Sequence, residues 1–547
     1  MKRMRRATEN VKSYFTFSNG QARFGVPLRW ALVIAILAIA MPVAAQQSCE
    51  GLASMKISGV TITLAKSINP PPDFEVPSLP GRYGTPTGQK VSVPFCRVAA
   101  YATPTSDSHI KFEVWLPPAS KWNGLYLGEG NPGFVGSISY GGMAREMEKG
   151  YATASTDTGH SDKEATGALP PWAIGHPELV ADWGHRAVHE MTVAAKQIVA
   201  AYYGKPARLS FWSSCHEGGN QALTEAQKYP TDYDGIAAGD PAYDITHLQA
   251  VSLYLSWVAL KDGVKAPGYI PPAKFPVIHR AVLDKCDALD GVRDGIVEDP
   301  RLCHFDPASI QCPGKEDGPA CLTPAQVQTA RQIYAGAKFD DGTLIYPGLE
   351  PGSELEWHWM AGGPDPMAIN KDFFATIIFQ NADWDWHTFD VSRDTRLADE
   401  KFGSMVNFTD PDLRPFEKHG GKIILYQSWQ EGAIPPGGLV NYYESVVKEM
   451  GDDLTETQSF ARLFVLPDAG MCSGFSVGSF QGAWNALDVI EKWRETGVAP
   501  DKIISTHRVA GAIDRTHPAC PYPQAAIYKG SGDPYDAANF TCGNPKW

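Results

Sequence analysis

Leu209-Ser-Phe-Trp-Ser-Ser-Cys-His-Glu-Gly-Gly-Asn-Gln221 is the stretch on which the fold turns. An apolar, aromatic run enters a Gly-rich turn, and the turn opens a helix through Gln221, Ala222, Leu223 and Glu225. This is the shape of a nucleophile elbow, in which a strained strand-to-helix turn lifts one side chain above an α/β sheet. The G-x-S-x-G pattern of such elbows puts serine at the tip. Here His216 holds the tip, and Ser214 stands where the preceding glycine would be. The turn is kept and the nucleophile is not.

Outward from the elbow, residues 151–157 read as a strand, 182–202 as an amphipathic helix and 235–239 as a short buried strand. Strand and helix in alternation imply a parallel α/β sheet. Upstream, 49–120 is β-rich with Pro-heavy turns and ends in the alternating strand 110–116. Residues 123–127 read as a buried strand leading into Gly128-Glu-Gly-Asn-Pro-Gly133. Such a turn aims backbone N–H groups at a pocket, as an oxyanion hole needs, although Gly/Pro turns are common without one. Gly130, Gly133 and Glu217 are the candidate oxyanion and pocket residues.

From 241 to about 415 the β/α rhythm is lost, while cysteines, prolines and tryptophans accumulate. An inserted lid over the sheet is expected there. The rhythm resumes with a strand at 422–426, a helix near 438–449, a strand at 463–466 and a closing helix over 483–495. The expected organisation is a signal peptide over 1–45, core over 46–240, lid over 241–415 and returning core over 416–547.

Composition narrows the partners. A formal charge of −13, with no Lys/Arg cluster beyond the first six residues, argues against nucleic acid and anionic membrane surfaces. Lys2, Arg3, Arg5 and Arg6 precede the apolar run 30–43 and Ala44-Ala45-Gln46, the pattern of a secretory signal peptide. The run is short for a span of ~20 residues, though the long basic region leaves an uncleaved anchor open. After cleavage near Ala45 no stable membrane partner is expected, and the location is secreted or periplasmic.

The ten cysteines, 49, 96, 215, 286, 303, 312, 321, 472, 520 and 542, all follow that segment. An even count in an exported chain reads as five disulfides. None forms a C-x-x-C pair, and the spacing admits near-neighbour bonds for Cys286–Cys303, Cys312–Cys321 and Cys520–Cys542. Cys49, Cys96, Cys215 and Cys472 complete the set.

Four segments together resemble the tannase/feruloyl esterase family, which also includes mono(2-hydroxyethyl) terephthalate hydrolase. They are Tyr151-Ala-Thr-Ala-Ser-Thr-Asp-Thr-Gly-His160, Cys215-x-x-Gly-Gly219, Cys286-Asp-Ala-Leu-Asp-Gly-x-x-Asp-Gly295, and Ile434-Pro-Pro436 before Tyr442-Tyr443. The resemblance runs from about residue 50 to the C-terminus. It implies an α/β-hydrolase fold with a calcium-bearing lid, phenolic or aromatic carboxylic ester substrates, and a Ser-Asp-His triad.

Carried over position by position, the triad is replaced throughout. The elbow serine is His216, the acid in Ser428-Trp429-Gln430-Glu431 is Glu431, and the base in Pro467-Asp-Ala-Gly-Met471-Cys472 is Met471. The flanking cysteines that the family joins beneath the triad remain as Cys215 and Cys472. Methionine cannot accept a proton, so serine attack lacks its base. Ser213 and Ser214 are expected to point away from the tip, and His160 is a conceivable substitute base. Glutamate is one methylene longer than aspartate, so His216 and Glu431 are expected to meet directly as an oriented acid/base pair. The alternative is a His–Glu contact that plugs a dead pocket.

The resemblance also implies that Asp287, Asp290 and Asp294, with the Val292 and Ile296 carbonyls, hold a structural Ca2+; read alone, the loop is equally a solvated acidic turn. Trp357, Trp359, Phe373, Phe374, Trp384 and Trp386 are candidates for the aromatic wall of a pocket, although each also suits a core. Three functional readings follow. The first is an enzyme acting on an aromatic or phenolic ester or related acyl compound through His216 and Glu431. The second is an inactive pseudo-esterase that only binds such small ligands. The third is an ester hydrolase with a substitute nucleophile.

Overall fold

The structure, a computed structural model, describes residues 46–69, 74–80, 85–161, 171–314, 316–467, 469–473 and 485–545. The expected signal peptide lies outside the described residues, as do the first two positions of the predicted closing helix. Among the described residues no helix is long and apolar enough to cross a membrane.

One nine-stranded sheet carries the core. Its strands are β1 (Val60–Ile68), β2 (Phe95–Ala102), β3 (Ile110–Leu116), β4 (Leu125–Gly128), β5 (Ala152–Thr156), β6 (Leu209–Cys215), β7 (Gly235–Gly239), β10 (Lys422–Ser428) and β11 (Ala461–Leu466). The intervening β8 (Ala337–Lys338) and β9 (Leu344–Tyr346) pair only with each other. The sheet order is β1-β2-β3-β5-β4-β6-β7-β10-β11. The first three pairings are antiparallel, and from β5 onward all are parallel.

Burial follows position. Every residue of β4, β5 and β7 is buried, as parallel strands covered on both faces must be, while edge strand β1 is half exposed. The covering helices include α1 (Tyr140–Glu148), α2 (Pro177–Ala181), α3 (Ala187–Tyr203) and the elbow helix α4 (Glu217–Lys228). On α3, Val188, Met191, Ala195, Ile198 and Val199 join Phe112, Val114 and Ala154 of the sheet in one apolar core. This is the α/β-hydrolase core anticipated from the sequence.

The segment 241–415 adds no strand to the large sheet. It begins with α5 (Ile245–Leu260) and packs around a second apolar core, built on Leu253, Leu255, Phe275, Ile278, Trp357 and Phe373 and shared with Phe134, Val180 and Trp183. Ile434 and Met471, from loops that follow β10 and β11, belong to the same core, so this segment sits on the crest of the sheet. All ten cysteines are paired, as Cys49–Cys96, Cys215–Cys472, Cys286–Cys303, Cys312–Cys321 and Cys520–Cys542.

Two details differ from the sequence reading. The helix expected over 182–202 opens instead as a wide π turn, Asp182–Arg186, before α3 and ends at Gly204 with φ 69°. The chain also adds two hairpins, β12 (Ile503–Val509) with β13 (Ala512–Ala519), and β14 (Ala525–Tyr528) with β15 (Phe540–Gly543). Their polar, partly exposed sequences lack the apolar alternation that marks a half-buried strand.

The elbow helix meets β7 backbone to backbone. A Cβ on Gly219 would lie 2.2 Å from the Gly239 carbonyl oxygen and 3.0 Å from Pro241 Cα. Backbone cannot rotate away as a side chain can. Gly219→Ala is expected to destabilise the fold by about 3 kcal/mol, the upper end for overpacking, read as a lowered midpoint in denaturant unfolding. An unchanged midpoint would mean that the approach is looser than described.

Candidate active site

The carboxyl ends of β6, β7, β10 and β11 lie side by side, with Cys215 opposite Gly239, Gly239 opposite Tyr426, and Ser428 opposite Leu466. Each strand therefore delivers its next residues to one crest, where open α/β sheets place their ligands. β6 delivers His216, β7 delivers Asp240, β10 delivers Glu431 and β11 delivers Met471.

His216 has φ 64° and ψ −116°, a backbone conformation that a non-glycine residue holds only under constraint. The constraint is explicit. Its N–H donates to the Gly239 carbonyl at 2.8 Å, and its own carbonyl accepts from Gly219 and Asn220 at 3.0 and 3.1 Å. Buried Trp212 on β6 donates Nε1–H to the Gly218 carbonyl at 2.8 Å, and the Cys215–Cys472 bond ties the elbow to the loop after β11.

Above the elbow lies a cavity of ≈ 620 Å3. Its floor is Ser214, Cys215, His216, Glu217, Met471 and Cys472; one wall is Gly130–Phe134, and the other is α5 with Trp359, Met360 and Met367–Asn370 of the lid. Gly130, Gly133 and Glu217 line the cavity. The 130–134 loop is fixed through Asn131, whose N–H donates to Gln221 Oε1 at 3.2 Å and whose Nδ2 donates to the Thr156 carbonyl at 2.8 Å. Glu217 opens α4, where a backbone N–H has no partner within the helix.

The acid/base pair expected of His216 and Glu431 is not formed as a hydrogen bond. Glu431 Oε1 turns back on its own loop and accepts the N–H groups of Ala433 and Ile434 at 2.7 and 3.3 Å. The extra methylene is used in that turn. His216 Nδ1 and Glu431 Oε2 are both buried without a partner. Burial, with no carboxylate to oppose it, pushes the His216 imidazole down to about 4. Burial, and then the Asp240 charge, lifts the Glu431 carboxyl well above its ordinary value.

Asp240 was not singled out from the sequence, although its place directly after a buried strand on the crest was a signal. Its Oδ2 accepts the Cys472 N–H and lies 3.4 Å from Cys215 Sγ. Burial, relieved in part by that N–H, raises it to about 7.

Three further expectations change. Ser214 does not point away: it lines the cavity, with Oγ so close to the elbow that a Cβ on Gly218 would lie 2.0 Å from it. His160 is not in the cavity wall; its Nε2 is 3.0 Å from the Phe134 carbonyl and its ring stacks on Trp172. Of the six lid aromatics only Trp359 faces the cavity, because Trp357, Phe373, Phe374 and Trp386 are spent in the lid core and Trp384 packs on Phe379.

The acidic loop forms a second centre. Asp287, Asp290, Asp294 and Glu298 are all buried. One oxygen of each aspartate is used within the loop: Asp287 Oδ1 accepts from Asp294 and Gly295, Asp290 Oδ1 from Val292, and Asp294 Oδ1 from Ile296. The Oδ2 atoms of Asp290 and Asp294 are buried without a partner. His517 of β13 is committed to Glu298 at 2.9 Å. Burial and neighbouring carboxylates raise Asp290 to about 7 and Asp294 to about 6. Orphaned carboxylate oxygens in a dry acidic loop suit a hard divalent cation.

Residues 96–543 match the family model described as tannase and feruloyl esterase. An uncharacterized esterase of Xanthomonas campestris pv. campestris is 34% identical, with 93% of each chain covered. A probable feruloyl esterase B of Aspergillus clavatus is 31% identical over 91% of this chain and 95% of its own. Among solved structures, an esterase from Aspergillus oryzae superposes with a TM-score of 0.82 at 29% identity, covering 90% of this chain and 99% of that one. Feruloyl esterase B from Aspergillus oryzae gives 0.80 at 27% identity with the same coverage.

Among the described residues Ser214 is the one serine lining the cavity, and no hydrogen bond joins it to a histidine or a carboxylate. A fluorophosphonate probe is therefore expected to leave the protein unlabelled in intact-mass spectrometry. Stoichiometric labelling, mapped to Ser214, would restore an acyl-serine route.

Proposed function

The chain belongs to the tannase and feruloyl esterase family, and we propose that it acts on an aromatic or phenolic carboxylic ester, or a related acyl compound, through His216 and without an acyl-serine intermediate. One observation carries this reading. An imidazole whose Nδ1 has no partner, and whose basicity burial lowers, is held on a strained elbow at the floor of a mostly apolar cavity.

Neutral imidazole can take a proton from water as the water oxygen bonds to the acyl carbon. The tetrahedral intermediate then breaks its bond to the ester oxygen, which leaves as the alcohol with the proton returned by the imidazolium. Neutral imidazole can equally take a proton α to a carbonyl. Charge developing on the acyl oxygen would meet the N–H groups of Glu217 and Gly130. Glu431, whose carboxyl burial lifts well above its ordinary value, shapes the wall through its hydrogen bonds from Ala433 and Ile434. A base so weak is slow, so turnover should fall below that of a full triad.

A second reading, a ligand-binding pseudo-esterase, is supported by the same absence of an orienting carboxylate on His216. A third, hydrolysis through a substitute nucleophile, rests on Ser214. All three take a small aromatic ligand, and none involves nucleic acid. Export to the periplasm or beyond is proposed from the N-terminal sequence and the five disulfides.

The deciding experiment is a turnover screen of the mature protein with methyl gallate, methyl ferulate, mono-ester terephthalates and p-nitrophenyl esters, followed by mass spectrometry. His216→Ala should lower any turnover by about 10²–10⁴-fold, the contribution of general base catalysis. Calorimetric binding without turnover would leave the pseudo-esterase reading, and turnover unaffected by the substitution would remove His216 from the chemistry.

We also propose that Asp287, Asp290 and Asp294, with the carbonyls of Val292 and Ile296, hold a structural Ca2+, which would supply the charge that the buried loop lacks. Calcium at 100 times its dissociation constant should stabilise the chelated protein by about 2.7 kcal/mol, and Asp290→Asn should abolish the response. A melting temperature indifferent to calcium would contradict the assignment.

A further inference from the structure

Over two turns along α4 from His216, three side chains converge. His189 comes from α3, Glu225 from α4 and Asp232 from the loop between α4 and β7, and one ligand atom of each lies within 4.8 Å of the other two. His189 Nδ1 and Asp232 Oδ2 are 2.6 Å apart. Glu225 is only 1% exposed, yet neither of its carboxyl oxygens has a hydrogen-bond donor.

A carboxyl group buried in that way loses its hydration and gains nothing in return. The cation beside it does not resolve the loss, because Lys196 gives its Nζ to the Asp232 carbonyl, over the ring of Tyr233. Burial and the facing Asp232 carboxylate both raise the Glu225 carboxyl. The imidazole is held ready, with the Tyr229 ring stacked on it at 3.8 Å and 8°.

We propose that His189, Glu225 and Asp232 form a binding site for a zinc-class divalent metal ion that pins the elbow helix to α3. One imidazole nitrogen and two carboxylates, with solvent as a fourth ligand, are a donor set for zinc rather than for calcium or magnesium. The His189 side chain, 30% exposed, marks the side of entry. The ion takes the place of the proton between His189 Nδ1 and Asp232 Oδ2, and that proton leaves to solvent. Two ligands at zinc distances on a tetrahedral centre stand about 3.3 Å apart, so the pair opens by less than an ångström.

The mature protein, kept in excess calcium to satisfy the acidic loop, is titrated with zinc chloride by calorimetry, and its melting temperature is followed in parallel. One equivalent should bind and raise the melting temperature. Glu225→Gln and His189→Ala should each weaken binding at least tenfold and remove the thermal shift. His189→Ala changes a partly exposed side chain, which keeps the test valid if Glu225→Gln fails to fold. Zinc binding unchanged in His189→Ala would mark an adventitious ion only. No uptake by the parent protein would overturn the proposal and leave Glu225 neutral by sharing a proton with Asp232.

Discussion

The left-handed backbone at His216 is the constraint on which the rest of the crest depends. A side chain at φ 64° stays there only because its surroundings leave no alternative. Here they are the Gly239 carbonyl on one side, the first turn of α4 on the other, and a disulfide beneath. Gly218 and Gly219 follow as a consequence, since a Cβ at either would strike Ser214 or β7. The elbow would hold any residue at its tip in the same position, and this chain has put an imidazole there.

The electrostatics around that imidazole differ from those of a triad in kind. In a triad, a buried carboxylate holds the imidazole in one tautomer and stabilises its protonated form. In this crest the carboxyls of Asp240 and Glu431 are pushed toward their neutral forms, Glu431 spends its acceptor on its own loop, and Met471 contributes bulk. The lining of the cavity is mostly apolar, and Glu217, the one carboxyl among its described lining residues, is itself raised by burial. An apolar lining of this kind suits the aromatic acyl ligand proposed for it. The disulfide adds to this: Cys215 and Cys472 are locked together, so neither thiol is available as a nucleophile.

Much of the frame was legible because it is written in local patterns. The strands β3 and β7, the elbow and the loss of rhythm after residue 240 follow from periodicity and glycine placement. The pairings Cys286–Cys303, Cys312–Cys321 and Cys520–Cys542 span short separations, and Cys215–Cys472 needed the family resemblance. What was not legible depends on side-chain direction. Glu431 is in the expected place but faces its own backbone, Ser214 faces the cavity from a position assumed to face away, and five of six lid aromatics pack inward. Asp240 escaped notice because a lone aspartate after a strand reads as a turn residue until its burial is known.

The central claim is that His216 is a neutral, unpaired imidazole, and its titration tests that most directly. The histidine ring nitrogens of the 15N-labelled protein are followed by NMR from pH 8 to pH 3, with Glu431→Gln alongside. Because the folded value is depressed to about 4, the ring should stay neutral through the neutral range and protonate only as pH falls through that value. Glu431→Gln should leave the midpoint in place. A midpoint at or above that of free histidine, falling in the variant, would contradict the account and restore a charged His216–Glu431 pair.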